Sequence, residues 1–185
     1  MHRQPLLSLL RQHLSNSANR LDSNEEAMTK ATITFVEQHA DCFERSLLEG
    51  HVTGSAWIVS PDRQRVVLIH HRKLDRWFQP GGHADGDPDV AAVAFREAQE
   101  ETGLTSIRLV APTIFDVDIH PIPARGNVTE HLHYDIRFLF EADDNESFGE
   151  IEEVNDIRWF TLPNANFLAS SESISRMVRK IYQKL

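Results

Sequence analysis

The chain has 185 residues, 41% apolar and 25% charged, which is enough for one domain with a hydrophobic core and too few for two full ones. A formal net charge of -9 argues against a general nucleic-acid-binding surface, although a divalent cation can invert the field locally for a phosphorylated substrate. Cys42 is the one cysteine, which excludes an intramolecular disulfide and a cysteine metal cluster and fits a cytoplasmic setting.

Met1 to Leu14 is interrupted by Arg3, Gln4, Pro5, Arg11 and Gln12 and has no small-residue cleavage pattern, so no signal peptide is expected. No apolar run approaches the roughly 18 residues that span a bilayer, so no membrane partner is expected either. Pro5 to Leu14 predicts a short helix and Ser15 to Asn24 a polar linker. Glu25 to Leu48 predicts a long helix, with Ile33, Val36, Ala40, Phe43 and Leu47 at three- and four-residue steps and Gly50 as its stop. These helices make an N-terminal arm, residues 1–50, ahead of a domain over 51–185. The arm could cover a sheet edge or support a homodimer.

From His51 the period changes. Thr53 to Ser60 and Arg65 to His70 predict strands joined at Pro61-Asp62, and Trp77 to Gln79 a short extended piece ending in Pro80-Gly81-Gly82. A helix is expected from Pro88 to Thr102, capped by Asp87, with Pro88 in its first turn and Gly103 closing it in a left-handed conformation. Ile107 to Ile119 supplies one or two strands. His131 to Glu141 alternates as a strand with Leu132, Tyr134, Ile136, Phe138 and Phe140 on one face. Ala142 to Glu153 reads as an acidic loop, Ile157 to Phe160 as a last strand, and Ser170 to Leu185 as a closing helix with Ile174, Met177, Val178 and Ile181 on one side. The order predicts an α/β fold, a mixed sheet layered between helices, with an N-terminal helical extension.

The stretch from Gly81 to Leu104 carries the chemistry. Glu97, Glu100 and Glu101 stand at i, i+3 and i+4, which puts three carboxylates on one side of a helix, where they require a cation or a solvated surface. Ala91, Ala94 and Ala98 form another stripe, small enough for close approach to the sheet. Arg96 can pair with Glu100 or another acid and hold it in position. Gly81-Gly82 permits close approach of backbone to a ligand, and a carbonyl there could complete the oxygen shell that magnesium or manganese prefers. The alternative is a solvated acidic helix after a glycine turn.

The segment from Gly82 to Leu104 resembles the signature box of the Nudix hydrolase superfamily. Gly82 takes the first glycine, Arg96-Glu97 the arginine-glutamate pair, Glu100-Glu101 the adjacent acids, and Gly103-Leu104 the end, with Ala98 at the usual aliphatic position. Pro88 stands where the family has its first glutamate, a residue that braces the loop, and Asp87 and Asp89 flank it. The strand order extends the resemblance from about Val52 to Leu162.

That resemblance implies a Nudix-like α/β/α sandwich and hydrolysis of a nucleoside diphosphate linked to another moiety, by water attacking phosphorus with Mg²⁺ or Mn²⁺ as cofactor. It implies Glu97 and Glu101 as the best metal ligands, Glu100 as a shared ligand or a helper in deprotonating water, the Gly82 carbonyl as a further ligand and Arg96 as an orienter. An acid from a later loop is also implied. Glu153 is the choice, with Glu150 and Glu152 as alternatives and solvent exposure as the plain reading. His83, beside the glycines, could touch phosphate, act as a base, or simply cap the loop.

Two further segments alternate polar groups: Asp116, Asp118 and His120, then His131, His133, Asp135 and Arg137. Each set points to one face of its strand. The face suits base or phosphate recognition or an extra metal, against the alternative of a solvated sheet face. His70, His71, Arg72 and Lys73 form the most basic local patch and could meet substrate phosphates, or be solvated. Trp77 and Phe78 read as core or pocket wall. The competing functions are a Nudix-fold nucleotide-binding or regulatory protein without turnover, which the Pro88 departure keeps open, and an RNA 5′-end pyrophosphohydrolase, which the acidic balance opposes.

Overall fold

A computed structural model of the chain describes residues 2–16, 22–72, 75–126, 128–152, 154–168 and 171–184. The elements are α1 (Gln4–Ser15), α2 (Ser23–Gln38), β1 (Gly50–Val59), β2 (Arg65–His71), β3 (Arg76–Phe78), β4 (Gly81–His83), α3 (Val90–Thr102), β5 (Arg108–Ile122), β6 (His131–Glu141), β7 (Val154–Thr161), α4 (Leu162–Leu168) and α5 (Glu172–Lys184). The seven strands form a central mixed sheet in the order β3-β2-β1-β6-β5, with β4 pairing to β1 and β7 to β2. This is the mixed α/β architecture expected from the element order. The chain divides into two compact units, one of Met1–Gly54, Gly82–Val93 and Pro112–Phe138, the other of Ser55–Gly81, Ala94–Ala111 and Leu139–Leu185.

In the first unit α1 and α2 pack together. Pro5 sits in the first turn of α1, where its missing N–H costs nothing. Asp22 caps α2 by accepting from the Glu25 amide at 2.8 Å. Leu6, Leu7 and Leu10 of α1 are buried, as is the hydrogen bond between His13 Nε2 and Glu25 Oε1 at 2.8 Å, whose side chains are 1% and 0% exposed. Phe35 of α2 stacks on Tyr134 of β6 with ring centroids 3.8 Å apart.

The second helix is shorter than the apolar spacing predicts, ending at Gln38 and not Leu48. Beyond it the backbone turns. The carbonyl of Cys42 accepts from the Val52 amide at 2.8 Å and that of Phe43 from the Gly86 amide at 3.0 Å. Phe43 is buried as its spacing suggested, but from a turn whose carbonyls serve other segments, while Leu48 is 70% exposed.

In the second unit the turn after β1 is held by Ser60, which accepts from the Arg65 amide through its hydroxyl at 3.0 Å and donates to Asp62 at 2.6 Å. Val66 to Ile69 of β2 are all buried, and β2 pairs antiparallel with β7 from Arg65 opposite Thr161 to His70 opposite Asp156. On α5, Ile174, Met177, Val178 and Ile181 are all buried, the predicted apolar face. The sequence reading lacked α4, which has only Leu162 and Ala165 as buried anchors, too few to show a period. Gly103 closes α3 with φ 70°, as expected of a left-handed terminus. A Cβ there would also fall 2.6 Å from Gly149 Cα, so glycine is needed twice over.

Candidate active site and histidine cluster

The approach to α3 depends on two aspartates. Asp89 Oδ1 accepts from the Ala92 amide at 3.1 Å and is the helix cap, while Asp87 Oδ1 accepts from the Asp89 amide at 2.9 Å. The helix therefore begins at Val90, and Pro88 lies before its first turn. The expected cap moves from Asp87 to Asp89, because Asp87 closes the preceding turn. Local carboxylates thus brace the loop in which Pro88 stands. Pro88 itself lines a cavity of about 230 Å³ with Pro5, Leu6 and Leu9 of α1.

Further along α3, Ala94 and Ala98 are buried, Glu97 and Glu101 half-buried and Glu100 exposed. The helix thus turns its small residues inward and its carboxylates outward. Glu101 Oε2 accepts a hydrogen bond from the Gly81 amide at 2.9 Å. Close approach is what the glycine provides, since a Cβ at Gly81 would lie 2.8 Å from Ser55 Cα. Arg96 Nη2 stands 3.5 Å from Glu97 Oε1, so Glu97 is among the acids it pairs with. The glycine pair belongs to a short strand, β4, that contains Gly81, Gly82 and His83. Arg72, in the turn after β2, donates to the Glu152 carbonyl at 3.1 Å. Glu152 and Glu150 are exposed, and Glu153 and Lys73 lie outside the described residues.

The alternating strands of the first unit form two linked clusters. In one, Arg137 is 2% exposed and its guanidinium meets Asp135 at 2.7 Å and Asp116 and Asp118 at 3.2 Å each. Thr53 Oγ1 donates to the other oxygen of Asp135 at 3.0 Å. Burial opposes the charge on Arg137, but the three aspartates outweigh it and raise its pKa above the ordinary value. Asp116, Asp135 and Arg137 are thus buried and paired, while the side chain of Asp118 is 13% exposed.

In the other cluster five of the ten histidines gather: His51, His83, His120, His131 and His133. The rings of His51 and His131 are 5.0 Å apart, those of His51 and His133 4.9 Å, and those of His83 and His133 5.0 Å. His120 joins the two clusters, its Nδ1 lying 3.2 Å from Asp118. Burial, then the neighbouring His83 and His131, lower His51 to about 4. Burial, then His83 and His120, lower His133 to about 2. His83 is lowered as well, mainly by burial. Ligand atoms of His51, His131 and His133 lie within 4.8 Å of one another, an arrangement able to coordinate a divalent metal. The other four histidines stand among the site residues expected from the sequence, and His51 does not. Its signal was position, since it opens the strand that pairs beside β6.

This sheet and box define a Nudix-type protein. The family profile described as NUDIX domain matches residues 50–181, and the chain belongs to that family. Among curated relatives, it is 32% identical over 99 residues to an RNA pyrophosphohydrolase of Acidiphilium cryptum, covering 54% of this chain and 47% of that protein. The chain spans about half the length of two curated relatives it matches, 47% and 53%, and 24% of a third. Among solved structures, a C. elegans Ap4A hydrolase in a binary complex shares the fold with a TM-score of 0.57 at 18% identity, over 71% of this chain and 94% of that one. A UDP-X diphosphatase matches with a TM-score of 0.50 at 15% identity over 99% of this chain and 93% of its own, so its fold extends over the N-terminal helices too. Among the described residues, no helix is long and apolar enough to cross a membrane.

Proposed function

We propose that this chain is a Mg²⁺- or Mn²⁺-dependent pyrophosphohydrolase that cleaves a diphosphate linkage in a nucleotide-like small molecule, through a domain over residues 51–185 preceded by the helical arm. The observation that carries this reading is the carboxylate set of α3, with Glu101 held by the Gly81 amide at 2.9 Å. The donors fit the cation, because Glu97, Glu100 and Glu101 offer oxygen alone from one helix side, as hard divalent cations prefer. Glu97 and Glu101 would hold it, with Glu100, the Gly82 carbonyl and the later-loop acid Glu153 as further donors. When bound, it neutralises phosphate oxygens and stabilises charge on the leaving group.

The residues of the chain supply the rest. Gly81 fixes one oxygen of Glu101 through its amide. Arg96 restrains Glu97 and limits the repulsion among the three acids. Glu100, the most exposed of them, either shares the cation or accepts the proton of the attacking water. Arg72, His83, His120, His131, His133, Asp135 and Arg137 are proposed for the substrate side. Arg137 acts there by positioning, since its guanidinium is already engaged by three aspartates.

The test incubates pure protein with Mg²⁺ or Mn²⁺ and a panel of nucleoside triphosphates, nucleotide sugars, dinucleoside polyphosphates and 5′-triphosphorylated RNA. Products are identified by mass spectrometry in ¹⁸O water, with Glu101→Gln as the matched control. The parent should cleave at one diphosphate bond with ¹⁸O in a phosphate product, and the variant should lose at least about 100-fold, since even outer-sphere residues of metal sites are worth 10–100-fold. Turnover by neither protein across the panel would favour a binding or regulatory role. The RNA arm tests a second reading, which the similarity to the A. cryptum enzyme supports and the net charge of -9 opposes.

A further inference from the structure

We infer that His51, His131 and His133 form a binding site for a borderline divalent transition cation of the Zn²⁺ type, a site separate in chemistry from the carboxylates of α3. His51 opens β1, and His131 and His133 alternate on the neighbouring strand β6, so that the sheet brings three imidazoles to one place. One nitrogen from each lies within 4.8 Å of the others. Four-coordinate zinc with nitrogen at about 2.0–2.1 Å needs donors about 3.3 Å apart, so small side-chain rotations close the set.

Two independent features support a ligand role for these nitrogens. His51 is only 2% exposed, yet its Nδ1 and Nε2 lack a well-formed hydrogen bond, the Leu47 carbonyl being a loose contact of the ring, and the buried Nε2 of His133 has no partner. Buried polar atoms in folded proteins are almost always satisfied, and a cation accepting these lone pairs would satisfy them. His131 is oriented in the way metal-bound imidazoles are. Its Nδ1 lies 2.8 Å from the Thr129 carbonyl, which can only accept, so Nδ1 carries the proton and Nε2 keeps its lone pair. His131 and His133 are partly exposed, which leaves an entry path.

The donor type selects the ion. Three imidazoles without a carboxylate suit Zn²⁺, Co²⁺, Ni²⁺ or Cu²⁺ and do not suit Mg²⁺ or Ca²⁺, which take oxygen. His120, already turned on Asp118, and His83 stand next to the trio as candidates for a fourth position. A bound ion would tie β1 to β6 and stabilise the folded chain.

The test strips full-length protein with a chelator and titrates it with Zn²⁺ by calorimetry and with Co²⁺ by visible absorption, in the presence of millimolar Mg²⁺. The expected result is one tightly bound Zn²⁺ that Mg²⁺ does not displace and a strong low-symmetry Co²⁺ spectrum. Both should persist in Glu101→Gln, and His131→Ala and His133→Ala should weaken binding by more than about 100-fold, beyond the loss that outer-sphere changes cause. Because His51→Ala could disturb the core, the half-exposed His131 and His133 carry the test, with circular dichroism confirming their fold. A stripped parent that binds no Zn²⁺, Zn²⁺ displaced by Mg²⁺, or histidine variants that bind like the parent would overturn the assignment. Loss of binding in Glu101→Gln would overturn it too, by placing the ion on the glutamates. Hydrolysis does not enter any of these readouts.

Discussion

The Gly81 amide points at Oε2 of Glu101 from 2.9 Å, so the glycine loop and the glutamate helix meet through one backbone hydrogen bond. Two substitutions separate the structural part of this contact from the chemical part. Gly81→Ala places a methyl 2.8 Å from Ser55 Cα and forces the strand to shift. It should lower the melting temperature and reduce turnover by about 10–100-fold, the range for groups that orient metal ligands. Glu101→Gln keeps an oxygen for the amide, so calorimetry should find its melting temperature close to the parent's while activity is lost. Equal losses of stability in both variants would contradict this division.

Arg137 pairs with three aspartates, of which Asp116 and Asp135 are buried. Arg137→Met removes the guanidinium that Asp116, Asp118 and Asp135 share. Removing one partner from a buried ion pair costs about 3–5 kcal/mol, and urea denaturation should show a loss of that size. Replacing Asp116 by Asn in the same background should recover part of it. A change below about 1 kcal/mol, the size of an exposed pair, would mean that water reaches the cluster.

The buried His13–Glu25 pair joins α1 to α2. His13→Leu alone should destabilise by about 1–3 kcal/mol by removing the imidazole that Glu25 Oε1 meets in the interior, whereas the double change His13→Leu with Glu25→Leu should come closer to the parent. Chemical denaturation of the four proteins in the cycle gives the coupling. Additive losses would remove the pair as the cause.

Glu146 supplies a pH dependence. Its carboxylate is lowered from 4.5 to about 2 by hydrogen bonds from Ser106 and then from the hydroxyl and amide of Thr105. A folded-state value below the unfolded one means that this contribution is fully present above about pH 4.5 and is lost as the pH falls toward about 2. Glu146→Gln should therefore be less stable than the parent at pH 7, with the gap closing on acidification. Urea midpoints at pH 7, 4 and 2.5 measure it, and a gap that stays constant with pH would rule out the ionised carboxylate as its source.

Local patterns were legible where one segment carries its own signal. The helix of α3, the left-handed Gly103, the strand from His131 to Glu141 and the apolar face of α5 all follow from spacing and turn chemistry. The end of α2 was not legible, because Phe43 and Leu47 continue the helical spacing while the carbonyls of Cys42 and Phe43 are used by Val52 and Gly86, residues distant in sequence. The short α4 escaped for lack of a period. Glu97, Glu100 and Glu101 could be read as a set because they share one helix.

Sequence alone determined the family, the carboxylate face of α3 and the alternation that puts Asp135 and Arg137 on the side of β6 shared with His131 and His133, since these depend on periods of 3.6 and 2 within a single element. Tertiary structure decided which of those side chains are buried and what they meet. Arg137 is charged and enclosed because Asp116 and Asp118 arrive from β5, and the imidazole cluster exists because β1 brings His51 beside β6. Strand pairing joins residues about 80 positions apart, a separation that no local period records.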